Sequence, residues 1–213
     1  MLYNVLRKEM ESFMIKNIIF DLGNVLIDFD YKKYLEENFT DEETRTFLAS
    51  KMFEDSKWKE FDLGLKTNNE IANMFINENP RYKDEILKVT KDFPNIIEEF
   101  SYSKKYLQLL KSKGFKIYYL SNMGLEAYNK GVITSSFYPI ADGEIMSYRI
   151  HSVKPEEKIY TSLLEKYSLN PSECLFFDDN LDNVDKAKEM GFEAVRVLGE
   201  FSIENALKKY NII

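Results

Sequence analysis

The chain has 213 residues, 44% of them hydrophobic, and carries 29 Lys and Arg against 36 Asp and Glu for a formal charge of −7. This composition suits a soluble α/β domain with an insertion, or two small domains. The acidic balance, without a dense Lys/Arg block, argues against a nucleic-acid partner. No apolar run approaches the roughly 18 residues that a membrane span needs. The single cysteine, Cys174, excludes an intramolecular disulfide. It sits in the apolar run Cys174-Leu175-Phe176-Phe177 and reads as a small buried hydrophobe, in keeping with a reducing cytoplasm.

Residues 1–14 carry Arg7, Lys8, Glu9 and Glu11 and lack the apolar core of a signal peptide. Leu2, Leu6, Met10 and Phe13 admit a short amphipathic helix. This segment reads as an N-terminal extension, with the main domain beginning at Ile15. A first strand is predicted at Ile18-Ile19-Phe20. From 31 to 100 the pattern is helical, with no convincing strand and with candidate N-caps at Thr40, Thr67 and Asn79, the last followed by Pro80. Such a block is expected to be a helical cap inserted into the core.

Beyond it, helical patterns at Ser103 to Lys113, Glu156 to Tyr167, Leu181 to Met190 and Ser202 to Tyr210 alternate with strand-like runs. Those runs are Phe115 to Leu120, Leu175 to Phe177 and Ala194 to Leu198. They are continuous rather than alternating, as in strands buried on both faces of a parallel sheet. Gly114 and Gly191 fall where helix C-caps belong, and Pro155 suits the first turn of a helix. The prediction is a Rossmann-like, doubly wound α/β core made of residues 15–30 and 101–213, with 31–100 as the cap.

Three predicted strands end in polar clusters: Asp21-Leu22-Gly23-Asn24, Ser121-Asn122 and Asp178-Asp179-Asn180. In open parallel sheets ligands bind beyond the carboxyl ends of the strands, so these clusters are expected to converge. A lone aspartate there is usually a turn or cap residue. Three at two strand ends repel one another unless their pKa values rise or a cation binds among them, and oxygen donors beside a phosphate suit Mg²⁺. Lys154, in Val153-Lys154-Pro155-Glu156, is ordinary surface charge when taken alone. Beside a phosphate it becomes a point charge for the transferring oxygens.

In order, Phe20-Asp21-Leu22-Gly23-Asn24-Val25-Leu26, Tyr119-Leu120-Ser121-Asn122, Lys154-Pro155 and Phe177-Asp178-Asp179-Asn180 resemble the ordered motifs of the haloacid dehalogenase superfamily. The resemblance spans about Ile15 to Gly199 and is nearest to a bacterial branch of sugar-phosphate phosphatases that includes α-D-glucose-1-phosphate phosphatase. It implies a Mg²⁺-dependent hydrolase of a small phosphorylated metabolite. Asp21 would be the nucleophile that forms an aspartyl-phosphate, and Lys154 would neutralise it and the phosphate. Ser121, Asn122 and the backbone amides near Asn122 and Met123 would hold phosphoryl oxygens. Asp21, the Gly23 carbonyl and Asp179 would bind the metal, supported by Asp178.

The family's second aspartate, two residues after the nucleophile, is replaced here by Gly23. That removes a general acid and base worth about 10²–10⁴-fold. Asp28 and Asp30 offer substitute carboxylates, although surface positions at the cap hinge are the preferred reading for both. His151, the only histidine, reads as a surface or edge residue. Trp58 and Phe61 read as cap core, or as a wall closing over substrate. The competing functions are a carbon-halide hydrolase, whose relatives also lack the second aspartate, and a non-catalytic binding protein. Substrate identity and oligomeric state stay open.

Overall fold

Ile18, Ile19 and Phe20 are completely buried because strand β1 (Asn17–Phe20) is covered on both faces. The computed structural model describes residues 14–55, 57–92 and 96–213. The predicted amphipathic segment bearing Leu2, Leu6, Met10 and Phe13 lies outside them. Beside β1 run β4 (Lys116–Ser121), β5 (Gly143–Met146), β6 (Cys174–Asp178) and β7 (Glu193–Arg196), in the order β5-β4-β1-β6-β7. Every pairing in this sheet is parallel.

Side chains on successive strand residues alternate between the faces. Ile18, Phe20, Tyr119 and Phe177 enter one core cluster. Ile19, Tyr118, Leu120 and Phe176 enter the other. The first face is covered by the helices Ser103–Ser112 and Glu200–Lys209, through Leu107, Leu110, Ile203 and Leu207. The second is covered by Glu157–Tyr167 and Leu181–Glu189, through Ile159, Leu163, Val184 and Ala187. The predicted doubly wound α/β core is therefore present. Gly114 and Gly191 follow two of these helices with φ of +90°, a conformation that glycine adopts without a Cβ penalty. Among the described residues no helix is long and apolar enough to cross a membrane.

Between β2 (Ile27–Phe29) and β3 (Ile97–Glu99) the chain is helical, from Tyr31–Asn38 to Lys83–Asp92. Thr67 is the predicted N-cap, in a reciprocal capping box with Glu70. Three local expectations are corrected. The helix near Thr40 is capped by Asp41, whose carboxylate accepts from the Thr44 amide. Pro155 precedes its helix, which starts at Glu157 after the N-cap Glu156. A strand does occur before 100: β3 pairs antiparallel with β2. β3 is only Ile-Glu-Glu, and two of its three residues are exposed, so it carries no periodicity to read. β5, half polar in Gly-Glu-Ile-Met, escaped prediction for the same reason.

Candidate active site

Phe20 pairs with Tyr119 on one side and Phe177 on the other. This register brings Asp21, Ser121 and Asp178 to one end of the sheet, at the switch point where the chain leaves β1 for opposite edges. Asp21 is 7% exposed. Its Oδ1 accepts from the Leu22 amide at 2.7 Å and pairs with Lys154 Nζ at 2.8 Å, whereas Oδ2 has no donor among the described residues. Lys154, 4% exposed, also lies 2.6 Å from Asp178 Oδ2. Burial disfavours its charge, but the Asp178 and Asp21 carboxylates outweigh that and raise its pKa, so the ammonium is retained.

Asn122 places this lysine. Its Oδ1 accepts from the Lys154 amide at 2.7 Å, and its Nδ2 donates to the Lys154 carbonyl at 3.1 Å. The Met123 amide, expected to hold a phosphoryl oxygen, instead donates to Ser147 Oγ at 2.8 Å. The Met123 amide is thus occupied by Ser147, and both polar atoms of the Asn122 side chain are spent on the Lys154 backbone. The Ser121 hydroxyl borders the cavity and makes no hydrogen bond to another described residue.

Asp178 is completely buried. Its Oδ1 accepts from the Asn180 amide at 2.9 Å and from Asn183 Nδ2 at 3.0 Å, so it anchors the floor behind Asp179. Asp179 is oriented by Asn24, whose Nδ2 donates to its Oδ2 at 2.9 Å from a left-handed backbone with φ of 56°. The sequence alone assigns a role to neither Asn24, which stands inside the first motif, nor Asn183, three residues beyond the last.

Carboxylate oxygens of Asp21, Asp178 and Asp179 lie within 4.8 Å of one another. Burial pushes Asp21 up to about 7; Lys154 opposes this, and the charges of Asp178 and Asp179 add to it. The Gly23 carbonyl accepts no hydrogen bond from the described residues, and Asn183 Oδ1 is buried without a partner. A crowded set of hard oxygens with one compensating ammonium, an idle carbonyl and an orphaned amide oxygen fits a hard divalent cation such as Mg²⁺.

Above this floor opens a cavity of about 350 Å³. Its upper wall is apolar and aromatic, from Phe29, Phe53, Trp58, Phe61 and Ile97. Trp58 and Phe61 thus serve both the helical core and the wall. The wall also contributes Asp62, which the sequence reading passed over. Burial first, then the Asp21 charge, push its carboxyl up to about 7. In the structure it is the last residue of the helix Trp58–Asp62, the end where a carboxylate is disfavoured. Asp28 and Asp30 do not border the cavity. They lie in a separate groove with Lys33 and Tyr34, and Asp30 is the N-cap of Tyr31–Asn38, accepting from the Lys33 amide. His151 is exposed, as expected, and its Nδ1 donates to the Leu63 carbonyl at 2.7 Å.

Residues 15–191 match the model of the haloacid dehalogenase-like hydrolase family. The chain belongs to that family. Among curated relatives of this hydrolase is the D-ribitol-5-phosphate phosphatase of Bacteroides thetaiotaomicron, 27% identical over 84% of this chain and 90% of the relative. A haloacid dehalogenase family enzyme of the same organism, solved as its magnesium complex, superposes with a TM-score of 0.67 at 22% identity, covering 90% of this chain and 98% of that one. The L-2-haloacid dehalogenase of Xanthobacter autotrophicus, solved with chloropropionic acid covalently bound, superposes with a TM-score of 0.66 at 20% identity, covering 94% and 85%. Backbone likeness therefore separates neither chemistry from the other, and the side chains of the site must do so.

Proposed function

We propose that this hydrolase is a Mg²⁺-dependent phosphatase of small phosphorylated metabolites, sugar or sugar-alcohol phosphates among them, working through an aspartyl-phosphate on Asp21. Residues 31–100 form its cap, and residues 15–30 with 101–213 form its core. The observation that carries the reading is the close set of Asp21, Asp178 and Asp179 against the single ammonium of Lys154. A carbon-halide hydrolase needs one anionic nucleophile, and two more carboxylates beside it would only oppose its ionisation. A phosphatase has a use for them. Asp21, Asp179 and the Gly23 carbonyl hold Mg²⁺, with Asp178 and Asn183 behind, and the bound ion offsets phosphoryl charge.

The remaining work falls to the chain. Asp21 Oδ2, which no donor among the described residues occupies, attacks phosphorus, while Oδ1 stays fixed by Lys154 and the Leu22 amide. Lys154 compensates the phosphoryl charge and is itself held by Asn122. The Ser121 hydroxyl is free to donate to a phosphoryl oxygen. The aromatic wall excludes bulk water from the transfer. The D-ribitol-5-phosphate phosphatase relative supports a sugar-alcohol phosphate. Phosphate release from a panel of phosphorylated metabolites, with Mg²⁺ and after chelation, tests the reading against chloride release from 2-chloropropionate. Metal-dependent phosphate release is expected; halide release without phosphate release would reverse the assignment.

A further inference from the structure

An alkoxide leaving oxygen needs a proton as its bond to phosphorus breaks, and the water that later attacks the phosphoenzyme must lose one. Gly23 has no side chain to serve. The other groups of the floor are committed: Lys154 and Asp178 to each other, and Asp179 to Asn24. Among the described residues that border the cavity, Asp62 is the one whose carboxyl has neither a hydrogen bond nor an ion pair.

Its backbone, by contrast, is fastened down. The Asp62 carbonyl accepts from Ser147 Oγ at 2.6 Å, and the next carbonyl, Leu63, accepts from His151 Nδ1. Lys59 pairs with Glu156 at 3.0 Å. The Phe61 ring seats on Gly124, where no Cβ intervenes. A side chain that is unbonded at its tip and fixed at its root is the arrangement that positioned proton transfer requires.

We propose that Asp62, delivered by the cap, is the proton donor to the leaving oxygen and the proton acceptor in hydrolysis of the phosphoenzyme; this rests on the phosphatase reading above. In the first half-reaction Asp21 Oδ2 bonds to phosphorus, the bond from phosphorus to the leaving oxygen breaks, and the Asp62 proton passes to that oxygen to give the alcohol. In the second, water bonds to phosphorus and gives its proton to the Asp62 carboxylate. The bond from phosphorus to Asp21 breaks, and inorganic phosphate departs. Atoms and protons balance over the cycle. The raised pKa of Asp62 agrees with a group that must hold a proton near neutral pH.

The test compares an alkyl substrate, D-ribitol 5-phosphate, with para-nitrophenyl phosphate, whose phenolate leaves without help. In Asp62→Asn, kcat/KM for the alkyl phosphate falls by about 10²–10⁴-fold, while kcat/KM for the aryl phosphate changes by less than about tenfold. A burst of nitrophenolate then precedes slow turnover, because the phosphoenzyme accumulates. Asp62→Glu restores part of the alkyl activity. Equal losses of kcat/KM on both substrates, or an undiminished alkyl rate, overturn the assignment. Wild-type protein that releases phosphate from no substrate overturns the phosphatase reading and this assignment with it.

Discussion

The Phe61 ring occupies the space that a Cβ on Gly124 would fill. Phe61 belongs to the inserted helices and Gly124 precedes the core helix Leu125–Lys130. The contact thus joins the two parts directly beside Asp62.

Gly124→Ala places a methyl group in the ring, and overpacking of this kind costs about 1–3 kcal/mol. Thermal denaturation should show the loss, and alkyl-phosphate turnover should fall because Asp62 moves with Phe61. Adding Phe61→Leu should recover part of both effects, since the sites are in contact and their energies do not add. Additive losses in the double mutant would refute the coupling.

Gly23 behaves oppositely. A Cβ there meets nothing within 4 Å, and its φ is not positive. Gly23→Asp should therefore fold normally and introduce a second carboxylate beside the leaving oxygen. In an Asp62→Asn background it should raise alkyl-phosphate kcat/KM by at least about tenfold. Steady-state kinetics on the double mutant decide this, and no gain over Asp62→Asn counts against it.

Lys154→Met leaves Asp21 and Asp178 buried without their cation, a change that costs about 3–5 kcal/mol. Without the ammonium the folded-state pKa of Asp21, already pushed up to about 7 by burial, rises further above its unfolded value. The folded protein then binds more protons than the unfolded one, and stability falls as pH rises. Urea denaturation should show a larger deficit at pH 8 than at pH 5. A deficit independent of pH would mean that packing, not charge, holds Lys154 in place.

The same sign applies to Asp62. Its folded pKa is raised to about 7 by burial and by Asp21, above the ordinary carboxylate range. It therefore opposes folding once the unfolded carboxyl has ionised, and the penalty grows with pH until the folded group ionises as well. Asp62→Asn should melt above wild type at pH 8, and the gap should close near pH 4. A mutant that melts lower at pH 8 would show that the carboxylate has a stabilising partner.

Mg²⁺ should stabilise the folded protein by mass action, by about 2.7 kcal/mol at a hundredfold excess over Kd. Asp179→Ala should remove that gain, and Asn24→Ala should reduce it by freeing Asp179 Oδ2. Calorimetric titration giving equal affinity in wild type and Asp179→Ala would dismiss Asp179 as a ligand.

The floor of the site was legible in the sequence because each part is contiguous with a buried strand. Asp21, Ser121 and Asp178 end or follow apolar runs that can only be central strands, and parallel register does the rest. The wall was not legible. Asp62 reaches Asp21 only through the fold, from a five-residue helix whose pattern reads as packing. The roles of Asn122 and Met123 were hidden similarly, since a motif displays polar groups without showing which neighbours satisfy them. Asp28 and Asp30 lie nearer in sequence to the nucleophile than Asp62 does, yet β2 and the helix it feeds turn both towards another groove.

The hydrogen bond from Ser147 to the Asp62 carbonyl bears on how this hydrolase can diversify. Were the proton donor at position 23, the inserted helices could be exchanged for others, and specificity would change while the reaction machinery stayed whole. With the donor on the insertion, a transplanted cap must bring both an acid and a carbonyl that Ser147 can grip. Grafts that respect only the shape of the cavity should bind new phosphate esters and fail to turn them over. The modular boundary for engineering this chain therefore runs inside the cap, with Trp58 to Gly64 left in place.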